Sequence, residues 1–137
     1  MNSLMRVVVS VSVLTMSFSA ASAQDSLRRQ DSKGPVTVTA ALVSPSASDT
    51  PLKVRLAFDT HSVDLDSLAF QDIVALRMPD GSDVAPAAVE QAQGRGHHRQ
   101  AIVSFPPLRE GDQVRIVVKN VGGVKERVFT WNHAGGR

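Results

Sequence analysis

LKVRLAFD, residues 52–59, sets Leu52, Val54, Leu56 and Phe58 against Lys53, Arg55 and Asp59. Successive side chains of an extended chain point to opposite faces, so this period of two describes a strand with one buried and one wet face. Such half-buried strands belong to antiparallel sheets. Working outward, the same period recurs. PVTVTAALV at 35–43 alternates Val36, Val38, Ala40 and Leu42 with Thr37, Thr39 and Ala41, and QAIVSF at 100–105 resumes the alternation with Ala101, Val103 and Phe105. QVRIVVKN at 113–120 and VKERVFTW at 124–131 repeat it. DIVALRM at 72–78 is apolar enough for a central strand, and residues 83–89 return as an edge strand limited by Pro86, which cannot donate to a ladder. Between them lie dense turn signals: SPSASDTP at 44–51, PDGS at 79–82, PPLREGD at 106–112 and VGG at 121–123. About seven short antiparallel strands at this spacing predict an all-β, immunoglobulin-like β-sandwich. No segment has a helical period long enough for a βαβ crossover, which removes the nucleotide-binding α/β folds.

The N-terminus sets the compartment. Arg6, the apolar run VVVSVSVLTMSF at 7–18 and the small residues Ala21-Ser22-Ala23 predict a signal peptide over 1–23, cleaved after Ala23. The apolar run is shorter than the roughly 20 residues a membrane span needs. The 137-residue chain less its first 23 residues is 114 long, enough for a single domain over 35–132. QDSLRRQDSKG, 24–34, reads as a flexible leader and 133–137 as a polar tail holding His133. The expected location is periplasmic or extracellular. Fifteen Lys and Arg against thirteen Asp and Glu give +2, and loss of Arg6 leaves +1, so no general field draws the domain to nucleic acid. With no cysteine, the chain has no disulfide, thiol nucleophile or thiolate metal site.

The candidate chemistry lies in FDTHSVDLD at 58–66 and GRGHHRQ at 94–100. If the alternation runs on from Phe58, Asp59 and His61 share the outward face. Run back from Ala101, it puts His98 outward and leaves His97 and Arg99 on the core parity. His61 with His98 is therefore the first expected pair of metal ligands, with His97, Asp59 and Asp64 beside them. Neutral imidazoles with a carboxylate suit copper or zinc, and affinity falls as pH drops through the histidine pKa near 6.5. A polar surface loop at GHHR and a hydroxyl-capped turn at Thr60-His61-Ser62 account for the same residues without a metal. Asp64 and Asp66 then cap a turn or pair with Arg99. Ser62, His61 and Asp64 hold the atoms of a triad, but no nucleophile elbow or oxyanion loop accompanies them, so an enzyme is not expected. The alternative is a non-catalytic structural or protein-interaction module of the cell envelope, docking a partner at exposed strand edges.

The motifs THSVDL at 60–65, GHHR at 96–99 and the closing VGGVKERVFTW at 121–131 resemble those of small exported prokaryotic β-sandwich proteins of uncharacterised function. The resemblance spans about residues 36–131. That pattern often has glycine where Arg95 stands and tryptophan where Val89 stands. The resemblance implies that His61, His97, His98 and Arg99 fall in the motifs that mark the group, and it supplies no activity.

Overall fold

The alternating stretch at 52–59 becomes the middle strand of a five-stranded sheet. The computed structural model describes residues 27–43, 49–109 and 111–132. The expected signal peptide and the tail with His133 lie outside the described residues. Nine strands and one short helix are described: β1 Arg28–Asp31, β2 Val36–Leu42, β3 Leu52–Thr60, α1 Phe70–Ile73, β4 Val74–Arg77, β5 Asp83–Val84, β6 Ala88–Arg95, β7 His98–Phe105, β8 Val114–Val121 and β9 Val124–Trp131. They form two antiparallel sheets, ordered β1-β2-β3-β7-β6 and β5-β4-β8-β9. The protein is an all-β sandwich.

The inner faces supply the core. Val36, Val38, Leu52, Val54, Leu56, Phe58, Val103 and Phe105 of one sheet share a buried cluster with Val74, Leu76, Val114, Ile116, Val118, Phe129 and Trp131 of the other. Each such side chain taken out of water contributes about 1.5–3 kcal/mol before the entropy of ordering is subtracted. Phe70 of α1 closes one end, meeting Phe58 edge-on at 5.4 Å between ring centroids.

Three segments depart from the sequence expectation. The chain expected to be a flexible leader over 24–34 is ordered into the sheet from Arg28, where β1 pairs with β2. RRQD carries no apolar alternation, because its inward positions are fixed by polar contacts. Arg29 lies over the Trp131 ring at 5.8 Å, and Asp31 accepts from Arg127 Nε at 3.3 Å. The edge strand expected at 83–89 divides at Pro86. Its first part, β5, pairs with β4, and the chain then crosses to the other sheet, where β6 pairs with β7. Finally, β6 runs on to Arg95 through polar, exposed residues. A bulge between Glu90 and Gln93, with Gln91 at φ 51°, absorbs one extra residue.

Arg127 sits on the inward parity of β9 and is 1% exposed. A buried guanidinium is costly unless every donor is engaged. Here Nη1 donates to the Val121 carbonyl at 2.8 Å, and Nη2 donates to the carbonyls of Lys33 at 2.6 Å and Val36 at 3.1 Å. The residue therefore ties the β1–β2 connection to the β8–β9 hairpin. Gly122 in that hairpin is held to glycine, since a Cβ there would stand 2.8 Å from Val36 Cγ2 at a φ of +60°.

Candidate functional site

GRGHHRQ is the tip of the β6–β7 hairpin. Arg95 pairs with His98 across a two-residue turn of Gly96 and His97. Gly96 has φ 61°, while His97 is not among the residues with positive φ. Positive φ at the first central position alone is the pattern of a type II′ turn, which suits the twist of a hairpin and wants glycine there. Gly94 is equally constrained: at φ +91° a Cβ would overlap the His98 carbonyl oxygen.

The hairpin tip docks on the segment that follows β3. Thr60 N–H donates to the His97 carbonyl at 3.0 Å, and Leu65 N–H donates to the Gly96 carbonyl at 2.8 Å. In return Gly96 N–H donates to Asp66 Oδ1 at 2.7 Å. Arg99, opposite Phe58 on the core parity, lies over the Phe70 ring at 5.1 Å. Its Nη1 donates to the Leu65 carbonyl at 3.0 Å and the Leu68 carbonyl at 2.5 Å. The Thr60 hydroxyl donates to the Pro35 carbonyl at 2.7 Å and accepts from Ser62 N–H at 3.2 Å. Asp64 Oδ1 accepts from Asp66 N–H at 2.9 Å, a local turn cap. The motifs that stand out in the sequence thus meet at one end of the sandwich and hold it closed.

Of the five expected ligands, Asp59 and His98 pair. Asp59 and His98 are cross-strand partners on the outer face of the five-stranded sheet, as parity predicts, and His98 Nδ1 pairs with the Asp59 carboxylate. Both side chains are 53% exposed. β3 ends at buried Thr60, so His61 falls in an exposed bend beyond the strand, and His97 occupies the turn. Asp64 belongs to the loop cap. Among the described residues, no group of three or more histidine or carboxylate side chains is placed to hold a metal ion.

What the sequence reading did not single out is the surface around Asp59 and His98. A shallow depression of about 730 Å3 opens on this outer face, lined by Arg28, Thr39, Ala41, Arg55, Ala57, Asp59 and His98, with Leu27, Leu42 and Val43 at one end. Register explains its shape. Arg28 of β1, Ala41 of β2 and Arg55 of β3 lie in one row, and Thr39 and Ala57 in the next. Small side chains form the floor and long ones the walls. Among the described residues, Arg28 and Arg55 have no side-chain hydrogen bond or ion pair, whereas Lys53 nearby is matched by Glu90 at 3.0 Å. The signal for this was available in LKVRLAFD, whose wet positions include Arg55. The other arginine arrives on β1, which has no strand pattern.

The outer face of the four-stranded sheet differs. Arg77 engages both Glu126, at 2.6 Å, and Asp83, at 2.9 Å, and Lys119 reaches Asp83 at 2.6 Å. The hydrogen bonds from Arg77 and then Lys119 hold the Asp83 carboxyl down at about 2. Arg77 in turn is raised by Glu126 and Asp83, and Glu126 is lowered by Arg77.

Comparison of the chain with models of protein families, with curated proteins and with solved structures returns no match. The functional reading therefore rests on the site's own geometry.

Proposed function

We propose that this protein is a non-catalytic binding module of the cell envelope, exported by its N-terminal 23 residues and binding through the outer face of the five-stranded sheet. The observation that carries the reading is the depression between β1, β2, β3 and β7, with two arginines that have no counter-charge among the described residues. The arrangement of β2-β3-β7-β6 against β4-β8-β9 supports an immunoglobulin-like scaffold, since it follows the strand order of the two sheets in that class. Such scaffolds bind through surfaces carried on rigid strands.

Docking by added strands is less well supported. β1 is four residues long and β5 two, β6 is bulged, and Arg29 Nε donates to the Thr130 carbonyl of β9 at 3.3 Å. Short, bulged or covered edges are poor templates for a further strand. The copper or zinc reading needs ligand nitrogens within roughly 4 Å of one another, and it is less well supported, since among the described residues no group of three or more histidine or carboxylate side chains is placed to hold a metal ion.

The test is amide chemical-shift mapping of the labelled protein, expressed as the full chain and recovered after export. It is titrated with anionic, cationic and neutral small molecules: citrate, inorganic phosphate, choline and glucose. Perturbations centred on Arg28, Thr39, Arg55, Ala57 and His98 are expected for at least one probe. Perturbations confined to the hairpin end or to the edge strands, or none with any probe, contradict the reading.

A further inference from the structure

We infer that the depression on the five-stranded sheet is an oxyanion site, in which Arg28 and Arg55 together hold a carboxylate or phosphate group of a small soluble molecule. The inference rests on the outer face being the binding surface. Arg28 and Arg55 pair in register with the two sides of Ala41, so the three residues lie in one row across β1, β2 and β3. Neighbouring strands stand about 4.8 Å apart, which puts the two arginine Cα atoms roughly 10 Å from each other. Two guanidinium groups on stems of that spacing can lean over the same point from opposite sides. Ala41 between them leaves that point empty of side chain.

Charge chemistry selects the occupant. A guanidinium presents paired donors in a plane and accepts nothing, and its natural complement is a carboxylate or phosphate gripped by two parallel hydrogen bonds. Of the other cations of the face, Lys53 is matched by Glu90, and Arg95 stands beside His98 at the far end, away from Arg28 and Arg55. Asp59 stands two rows along β3 from Arg55, one beyond Ala57, roughly 14 Å away at a rise of about 3.4 Å per residue. It faces His98, which occupies its carboxylate. The carboxylate of the depression is thus engaged at the far end, while the arginine end presents donors without acceptors among the described residues. The exposed His98 ring, held at Nδ1 by Asp59, marks where the body of a longer ligand would end.

The test is calorimetric titration of the exported protein with citrate and with inorganic phosphate at low ionic strength. It is repeated on Arg28→Gln, Arg55→Gln and, as a control, Lys125→Gln on the exposed part of β9. Binding is expected with wild type and with the control. Each arginine variant should weaken it about tenfold, the loss of one charge-assisted pair, and added salt should weaken it further. Unchanged thermal unfolding midpoints show that the arginine variants remain folded. Absence of binding by either anion, or binding indifferent to both arginine substitutions, overturns the inference. If choline or glucose maps to this face while citrate and phosphate do not, the face remains the binding surface and the oxyanion assignment falls. If the anions map elsewhere, both fall.

Discussion

At the loop end of the sandwich, Gly94, Gly96, Thr60, Asp66 and Arg99 direct their special properties inward, into turn geometry and hydrogen bonds between β3, α1 and the β6–β7 hairpin. On the outer face of the five-stranded sheet, Arg28 and Arg55 project over alanine and threonine with nothing among the described residues to neutralise them. The loop end is rich in residues that suggest chemistry, and structure consumes them. The outer face is ordinary in sequence, and structure leaves it open. A conspicuous motif can mark what a fold needs to close, and a binding surface can arise from plain residues that register brings into one row. The outer face of the four-stranded sheet shows that an exposed arginine need not mean a site, because Arg77 is matched by Asp83 and Glu126. Arg115 on the same sheet is half buried, and its Nε lies out of solvent without a hydrogen-bond partner among the described residues.

Substitutions should separate the regions by what they damage. The largest loss is expected for Arg127→Met, which leaves the carbonyls of Val121, Lys33 and Val36 without their donor. Urea unfolding should show a loss of about 3 kcal/mol or more; a loss under about 1 kcal/mol would remove Arg127 from the account of how the hairpins are tied. At the loop end, Arg99→Met and Gly94→Ala should each cost about 1–3 kcal/mol, the former by stranding the Leu65 and Leu68 carbonyls, the latter by forcing a Cβ against the His98 carbonyl. Neither should alter ligand affinity in protein that remains folded. Arg28→Gln and Arg55→Gln invert the pattern: stability stays within about 0.5 kcal/mol, as for surface changes away from special features, while binding falls. Equal stability losses in the two regions would erase the distinction.

The paired face supplies a contrast in pH. Asp83 is depressed in the folded state to about 2, so its contribution is present above the unfolded value near 4 and is lost as pH falls through about 2. Arg77→Met should reduce the acid-induced loss of stability between pH 4 and 2, read as a shallower fall of the unfolding midpoint. An unchanged acid limb would show that Asp83 is not held by Arg77. The smallest effect expected is with copper or zinc. Calorimetry should show no stoichiometric binding that His61→Ala and His98→Ala both abolish; micromolar binding lost in both would restore the metal reading.

Much of the sandwich is legible in sequence because burial on one face writes a period of two, and LKVRLAFD carries it without a break. The outward parity of Asp59 and His98 follows from the same rule. β1 and the far part of β6 are not legible, since both lie at sheet edges and have polar residues on both faces. Their pairing depends on partners distant in sequence, such as Trp131 and Arg127 for β1. The expected run of the strand on to His61 is cut short: Thr60, the last residue of β3, is buried and capped, and the chain bends at His61. Arg99 illustrates the reverse case. Its core parity is readable, but only the packed loop reveals that carbonyls rather than a carboxylate receive it.

If ligand binding and structural closure reside in different regions, substitutions in each should act on only one of them. The most direct measurement is the urea unfolding midpoint of wild type, Arg99→Met and the Arg28→Gln/Arg55→Gln double variant, with and without citrate. Ligand bound to the native state raises the midpoint by mass action, and the general salting effect of citrate is shared by all three proteins. A similar citrate-induced rise is expected in wild type and in the less stable Arg99→Met, with only the shared salt increment in the double variant. A rise in the double variant as large as in wild type, or one abolished by Arg99→Met, would contradict that separation.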